Sequence, residues 1–391
     1  MSGLDALLAE PVGVCTKGLP DSLADVPLGG VGELGLSLWT GDLLLPALTL
    51  RGDRLRHNLA RMRRFCDEHG VALAPHGKTT MAPQLFADQL AAGAWSMTAA
   101  TVGQAQVMAR YGVRRILIAN EVVDRRAIRW LGEADADLYC LVDSVAGVEA
   151  LDAAGREIKV LAEVGIAGRR SGARENDDAL RVLDAAARSR YVKPVGVECF
   201  EGVVGERGAV DALLERVAEV GTASFDGHYI LSAGGSTFFD AAAELTRTGA
   251  EVILRSGCYV VHDHGMYAES SPLTDDPFQP ALELWADVLS CPEPGRAIAG
   301  VGRRDAPYDA GLPTVLHAYR GGEPLALGEA TVTELNDQHA FVTVPDGGDV
   351  AIGDVVEFGI SHPCTCLDRH AILYGLDPDH SVTAAYLTSF G

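Results

Sequence analysis

No long run of lysine and arginine occurs in the sequence, and a formal net charge of −22 at pH 7 would repel a phosphate backbone, which excludes nucleic acid as a partner. No apolar stretch approaches the ~20 residues that span a bilayer, so no membrane partner is expected. The opening Met1-Ser2-Gly3-Leu4-Asp5 lacks the basic segment of a secretory signal, and the expectation is a cytoplasmic protein. Neither low complexity nor a short-period repeat is present. Eight cysteines over 391 residues are too sparse for a disulfide framework and read as reduced thiols or metal ligands. What is present is ordinary globular material, 48% hydrophobic and 22% charged, long enough for one large domain of roughly 200–250 residues and a smaller companion.

From Val71 onward, short apolar runs alternate with segments of helical period, the mark of consecutive βα units. The runs are Val71–Ala74, Trp95–Thr98, Ile116–Ala119, Leu138–Val142, Val160–Val164, Val195–Cys199, Tyr229–Leu231 and Val252–Leu254. Amphipathic helices are predicted between them, as at 82–92, 102–111 and 179–189, with Gly93, Gly112 and Gly249 placed to close helices. Eight such units predict an α/β protein built on a (β/α)8 TIM-like barrel, with its chemistry at the C-terminal strand ends. An open doubly wound sheet is the competing arrangement. After about residue 285 the pattern becomes β-type alternation with Pro-Gly and Gly-Gly turns, as at Ala340–Val344 and Val355–Phe358. The expected domains are an N-terminal extension at 1–50, a barrel at 51–285 and a C-terminal β-domain at 286–391.

The first strand ends in Pro75-His76-Gly77-Lys78-Thr79-Thr80. A lysine at a barrel mouth can hold a cofactor aldehyde as an imine and serve as a base; a surface lysine in a polar loop is the plainer reading. The seventh strand runs into Gly234-Gly235-Ser236-Thr237 and the eighth into Arg255-Ser256-Gly257-Cys258. The loops after strands seven and eight are the usual barrel phosphate site. Arg170, in Gly168-Arg169-Arg170-Ser171-Gly172, can bring a guanidinium to the same mouth, for a cofactor oxygen or a substrate carboxylate. Asn120, Glu121, Glu198 and Glu201 lie at the same level, without a role that spacing assigns. Late in the chain, Ser361-His362-Pro363-Cys364-Thr365 reads as a strand on which residues two apart share a face, so that His362 and Cys364 converge on one ion, Zn2+ being suited to the pair. His262-Asp263-His264 has the same spacing and competes.

Taken in order, Pro75-His76-Gly77-Lys78-Thr79, Ala99-Ala100-Thr101, Ile118-Ala119-Asn120-Glu121, Ser232-Ala233-Gly234-Gly235-Ser236 and His362-Pro363-Cys364-Thr365 resemble the D-threonine aldolase/D-serine dehydratase family, of the alanine-racemase-like (fold type III) class of pyridoxal phosphate (PLP) enzymes. The likeness runs from about Leu43 to the C-terminus. It implies a PLP barrel followed by a β-domain that the strand near Leu48 joins, and a homodimer. It further implies Lys78 as the Schiff-base lysine, Arg170 near the cofactor oxygen, and Gly234, Gly235, Ser236, Thr237, Gly257 and Cys258 around the phosphate. His362 and Cys364 match the metal pair of the dehydratase branch, where aldolases usually carry an aspartate second. Thr80-Met81 stands where relatives often have His-Lys, and residues 1–42 match only a subset of them. The expected activity is elimination from a β-hydroxy-D-amino acid to a 2-oxo acid and ammonia, with PLP and a divalent metal, Zn2+ being the expected ion. Retro-aldol cleavage to glycine and an aldehyde is the nearest alternative; a racemase or a non-catalytic PLP carrier is further off.

Overall fold

The computed structural model describes residues 3–13 and 17–390, in two compact units. Strand β1 (Ala47–Arg51) belongs to the unit made of residues 1–61, 79–84 and 258–391; the other comprises residues 62–78 and 85–257.

The second of these carries β2 (Ala72–Leu73), β3 (Met97–Ala99), β4 (Arg115–Glu121), β5 (Asp137–Val142), β6 (Ile158–Glu163), β7 (Val192–Glu198), β8 (Ile230–Ala233) and β9 (Glu251–Leu254). All pairings among them are parallel, in the order β2-β9-β8-β7-β6-β5-β4-β3. The sheet then closes on itself. Trp95 N–H donates to Leu73 O at 2.7 Å and Thr98 N–H to Pro75 O at 2.9 Å, so β2 meets β3 and a barrel, not an open sheet, results. Each expected apolar run coincides with one of these strands.

The barrel closes around Ala74, Leu117, Tyr139, Leu141, Leu161, Ile230 and Ile253, apolar side chains that fill the interior as a packed core. Helices begin just beyond strand ends because a hydroxyl or carboxylate stands ready to cap them. Thr101 accepts from Gln104 N–H, Asp124 from Arg126 and Ala127 N–H, and Ser144 from Gly147 N–H. Gly93, Gly112 and Gly249 take positive φ of 99°, 93° and 80°, as the chain turns out of each helical segment.

In the first unit, β1 lies between β10 (Leu282–Glu293), antiparallel, and β17 (Ile372–Leu376), parallel. The remaining strands are β11 (Arg296–Ala299), β12 (Thr314–Arg320), β13 (Glu323–Pro324), β14 (Thr331–Leu335), β15 (Ala340–Thr343), β16 (Val355–Gly359) and β18 (Val382–Leu387). The main path runs β13-β12-β16-β10-β1-β17-β18, with β11, β14 and β15 extending from β10. Trp285, Phe358, Tyr374, Leu48 and Leu50 are fully buried in this unit, and the Trp285 indole N–H donates to Thr49 Oγ1 at 2.9 Å. No described helix is long and apolar enough to cross a membrane.

Candidate active site

In the barrel unit, chemistry-bearing side chains gather at the C-terminal strand ends. Lys78 follows β2 in the short turn Gly77–Thr79, and its exposed Nζ has no hydrogen-bond or ion-pair partner among the described residues. Gly77 packs closely here: a Cβ there would come within 2.4 Å of Met108 Cε and 2.9 Å of Phe86 Cε1. His76 Nδ1 is buried without a hydrogen-bond partner. Burial, reinforced by the cations Lys78, Arg255 and Arg170, holds this imidazole well below its usual range, so it is neutral.

Below the mouth lies a buried ion pair. Arg255, after β9, meets the Glu198 carboxylate at 2.7 Å and donates to Ser232 Oγ at 2.6 Å and to Cys199 O at 2.8 Å. Burial pushes Glu198 up to about 7, against the opposing pull of Arg255. Glu121 and Glu163 form a second cluster, in which burial first, and hydrogen bonding to Glu163 next, raise Glu121 far above the ordinary carboxylate range. Arg170 Nε stands 4.0 Å from Glu163 Oε1, and the guanidinium lies over the Phe200 ring, 4.6 Å from its centroid. Asn120 donates to Ala100 O at 3.1 Å, linking β4 to the turn after β3.

The expected phosphate turn after β8 is already engaged. Gly234 N–H donates to Glu201 Oε2 at 3.0 Å, and Gly235 N–H donates to Glu201 Oε1. Gly234 has φ of 99°, the conformation that lets successive amides face one anion. An oxoanion therefore fits these donors, a carboxylate being in place on them. Ser236 and Thr237 are half-buried, and Gly257 is buried.

The β-rich unit supplies a second set. His362 and Cys364 do not lie on a strand, contrary to the sequence expectation. His362 is the extended N-cap residue of the short helix Pro363–Leu367, and Cys364 lies in its first turn. Pro363 is the cause, because its fixed φ and missing N–H suit the first helical position. The two side chains are still brought together: a hydrogen bond to Cys364 first, and one to Asp309 next, raise the His362 imidazole to about 9. His362 Nδ1 is 2.6 Å from Asp309 Oδ2, and Thr365 Oγ1 donates to Asp309 Oδ1 at 2.7 Å. The Cys258 side chain, expected beside a phosphate, faces Cys364 with the sulfurs 3.4 Å apart. Thr79 Oγ1 lies 3.7 Å from Cys258 Sγ and 3.6 Å from Cys364 Sγ. Hydrogen bonding from Cys258, then from His362 and Thr79, outweighs burial and holds the Cys364 thiol well below its usual range, while the same contact raises Cys258.

A cysteine sulfur beside an imidazole whose Nδ1 faces a carboxylate is a donor set that fits a zinc-like ion. Among the described residues no group of three or more His, Cys, Asp or Glu side chains is arranged to hold a metal. The competing His262 and His264 are both held neutral near 4 by burial, and neither ring hydrogen-bonds a described carboxylate.

Sequence reasoning gave Arg255, Glu163 and Asp309 no role of their own. Arg255 and Glu163 end apolar strands, where a charge at the barrel mouth is itself a signal. Asp309 gave none, since 53 residues separate it from His362.

Comparison with known proteins defines the class first. Residues 50–250 match the family described as "Alanine racemase, N-terminal domain", and residues 281–376 match "Putative serine dehydratase domain". The chain is 31% identical over 352 residues to the D-threonine aldolase of an Arthrobacter species, covering 83% of this chain and 87% of the relative. It is 36% identical over 141 residues to the D-threo-3-hydroxyaspartate dehydratase of Delftia sp. (strain HT23), 34% of this chain and 37% of the relative. The crystal structure of D-threonine aldolase from Filomicrobium marinum superposes with a TM-score of 0.79 at 25% identity, over 90% of this chain and 97% of that one. The chain belongs to the alanine racemase N-terminal domain family and, within it, to the D-threonine aldolase group of lyases.

Proposed function

We propose that the protein is a PLP- and metal-dependent lyase that eliminates water from β-hydroxy-D-amino acids, yielding a 2-oxo acid and ammonia. The observation that carries this reading is the pair His362 and Cys364, in which a hydrogen bond to Cys364 raises the imidazole and Thr79 Oγ1 lies 3.6 Å from Cys364 Sγ. Its His-Pro-Cys-Thr context resembles the dehydratase branch.

When bound, the cofactor supplies an electron sink for charge developing at Cα, and the metal a Lewis acid for the departing hydroxyl. Lys78 would hold the cofactor aldehyde, and its amine, which no described carboxylate engages, would serve as the base for the Cα proton. Ser236, Thr237 and Gly257, with Cys258 through its main chain, would hold the phosphate, and the Gly234 and Gly235 N–H groups, now on Glu201, would be further donors. Arg170 offers its guanidinium to a cofactor oxygen or a substrate carboxylate. His362 and Cys364 would hold the metal. Loss of the Cα proton and the β-hydroxyl as water leaves an enamine, which water converts to 2-oxo acid and ammonia. We further assign the protein to the cytoplasm as a homodimer.

Retro-aldol cleavage to glycine and an aldehyde is the second reading, favoured by the 31% identity to D-threonine aldolase over 83% of the chain. The test of the metal pair is chelation followed by zinc addition. Chelated wild type should lose elimination while keeping the absorbance of bound cofactor, and zinc should restore it; Cys364→Ala should lose it irrecoverably. Full turnover in metal-free Cys364→Ala would exclude the assigned site.

A further inference from the structure

We infer that Asp309 is a positioning residue for the metal ligand His362, fixing its ring so that Nε2, and not Nδ1, is the ligating atom. This rests on the metal reading above. The argument is one of donors and acceptors. An ionised carboxylate only accepts hydrogen bonds, so the nitrogen 2.6 Å from Asp309 Oδ2, His362 Nδ1, carries the proton. In the neutral ring that leaves the lone pair on Nε2 alone. Asp309 is itself held in place: Thr365 Oγ1 donates to its other oxygen at 2.7 Å, and Ser361 Oγ donates to Gly311 O, two residues further on, at 2.8 Å. Hydrogen bonds from Ser361, His362 and Thr365 thus bind the segment 309–311 to the residues flanking Cys364. A carboxylate behind a metal-binding imidazole sets its orientation and raises its basicity, and losing it typically weakens metal binding by about 10–100-fold.

The experiment measures zinc affinity of the PLP-loaded full chain by competition with a chromophoric chelator, alongside the melting temperature of the metal-free protein. Asp309→Ala and Asp309→Asn should each weaken zinc binding by about 10–100-fold with the metal-free melting temperature and cofactor absorbance unchanged. Asp309→Glu should recover affinity to within a few-fold of wild type, and Thr365→Val should give a smaller loss than Asp309→Ala. Wild-type zinc affinity in Asp309→Ala, or a loss that Asp309→Glu does not reverse, overturns the inference. His362→Ala separates the two levels: if it loses zinc while Asp309→Ala does not, only the positioning role fails; if it keeps zinc, the metal assignment fails with it.

Discussion

Lys78 is a residue whose chemistry and structural role separate cleanly. Its amine touches no described partner, so Lys78→Ala should change stability by no more than about 0.5 kcal/mol. Turnover should fall by orders of magnitude, because cofactor attachment and proton removal are both assigned to this group. Visible absorbance of bound PLP and a thermal melt, recorded on the same variant, check the two halves; retained absorbance and turnover would place the cofactor lysine elsewhere. Glu198 makes the opposite case. Burial raises its carboxyl from 4.5 to about 7, so between those values the folded protein binds more proton than the unfolded chain. Stability from this group is therefore full below about pH 4.5 and lost as pH rises through 7, a difference on the order of 3 kcal/mol. Glu198→Gln removes that dependence. Its melting temperature relative to wild type should climb from pH 4.5 to 7 and level off above; a difference that stays flat across this range would show that Arg255 keeps Glu198 ionised throughout. Lysine, glycine-rich turn and His-Pro-Cys were legible as candidates because each is a local pattern. Glu201 on the Gly234 and Gly235 amides, and Asp309 behind His362, were not, because nothing local marks which carboxylate a fold will deliver to a distant donor.

Elements were the most readable layer, and the reason is burial. Parallel barrel strands are covered on both faces and so appear as short unbroken apolar runs, which is why β5 and β6 stand out in the sequence. Closure of the barrel was less visible, since β2 is only Ala72–Leu73 and is joined to β3 largely through Pro75 and Trp95. The His362–Cys364 segment was misread as a strand because period-two spacing was weighed and the helix-starting geometry of Pro363 was not. At the element scale the sharpest test is Gly196, on β7. A Cβ there would sit 2.1 Å from Ile230 O, a backbone atom of β8 that cannot swing aside. Gly196→Ala should therefore force the two strands apart and cost about 1–3 kcal/mol, read as a drop of several degrees in melting temperature. A wild-type melt would mean that the β7–β8 spacing is looser than described.

For the whole molecule, both the fold and the family likeness admit two outcomes for a β-hydroxy-D-amino acid: cleavage of the Cα–Cβ bond or loss of the β-hydroxyl. Composition could not separate them, and the barrel is common to both. The proposed separating feature is Cys364, whose His-Pro-Cys-Thr context resembles the dehydratase branch, set against a likeness to D-threonine aldolase over 83% of the chain. The most direct measurement is a product balance. The PLP- and zinc-loaded protein is incubated with D-threo-3-hydroxyaspartate, D-serine and D-threonine and with their L-enantiomers, and ammonia, 2-oxo acid, glycine and aldehyde are quantified together. Equal amounts of ammonia and 2-oxo acid, from D-substrates only, are predicted. Glycine and aldehyde in place of ammonia would contradict elimination and establish the aldolase reading, and turnover of none of these substrates would contradict the assignment as a β-hydroxy-D-amino acid lyase.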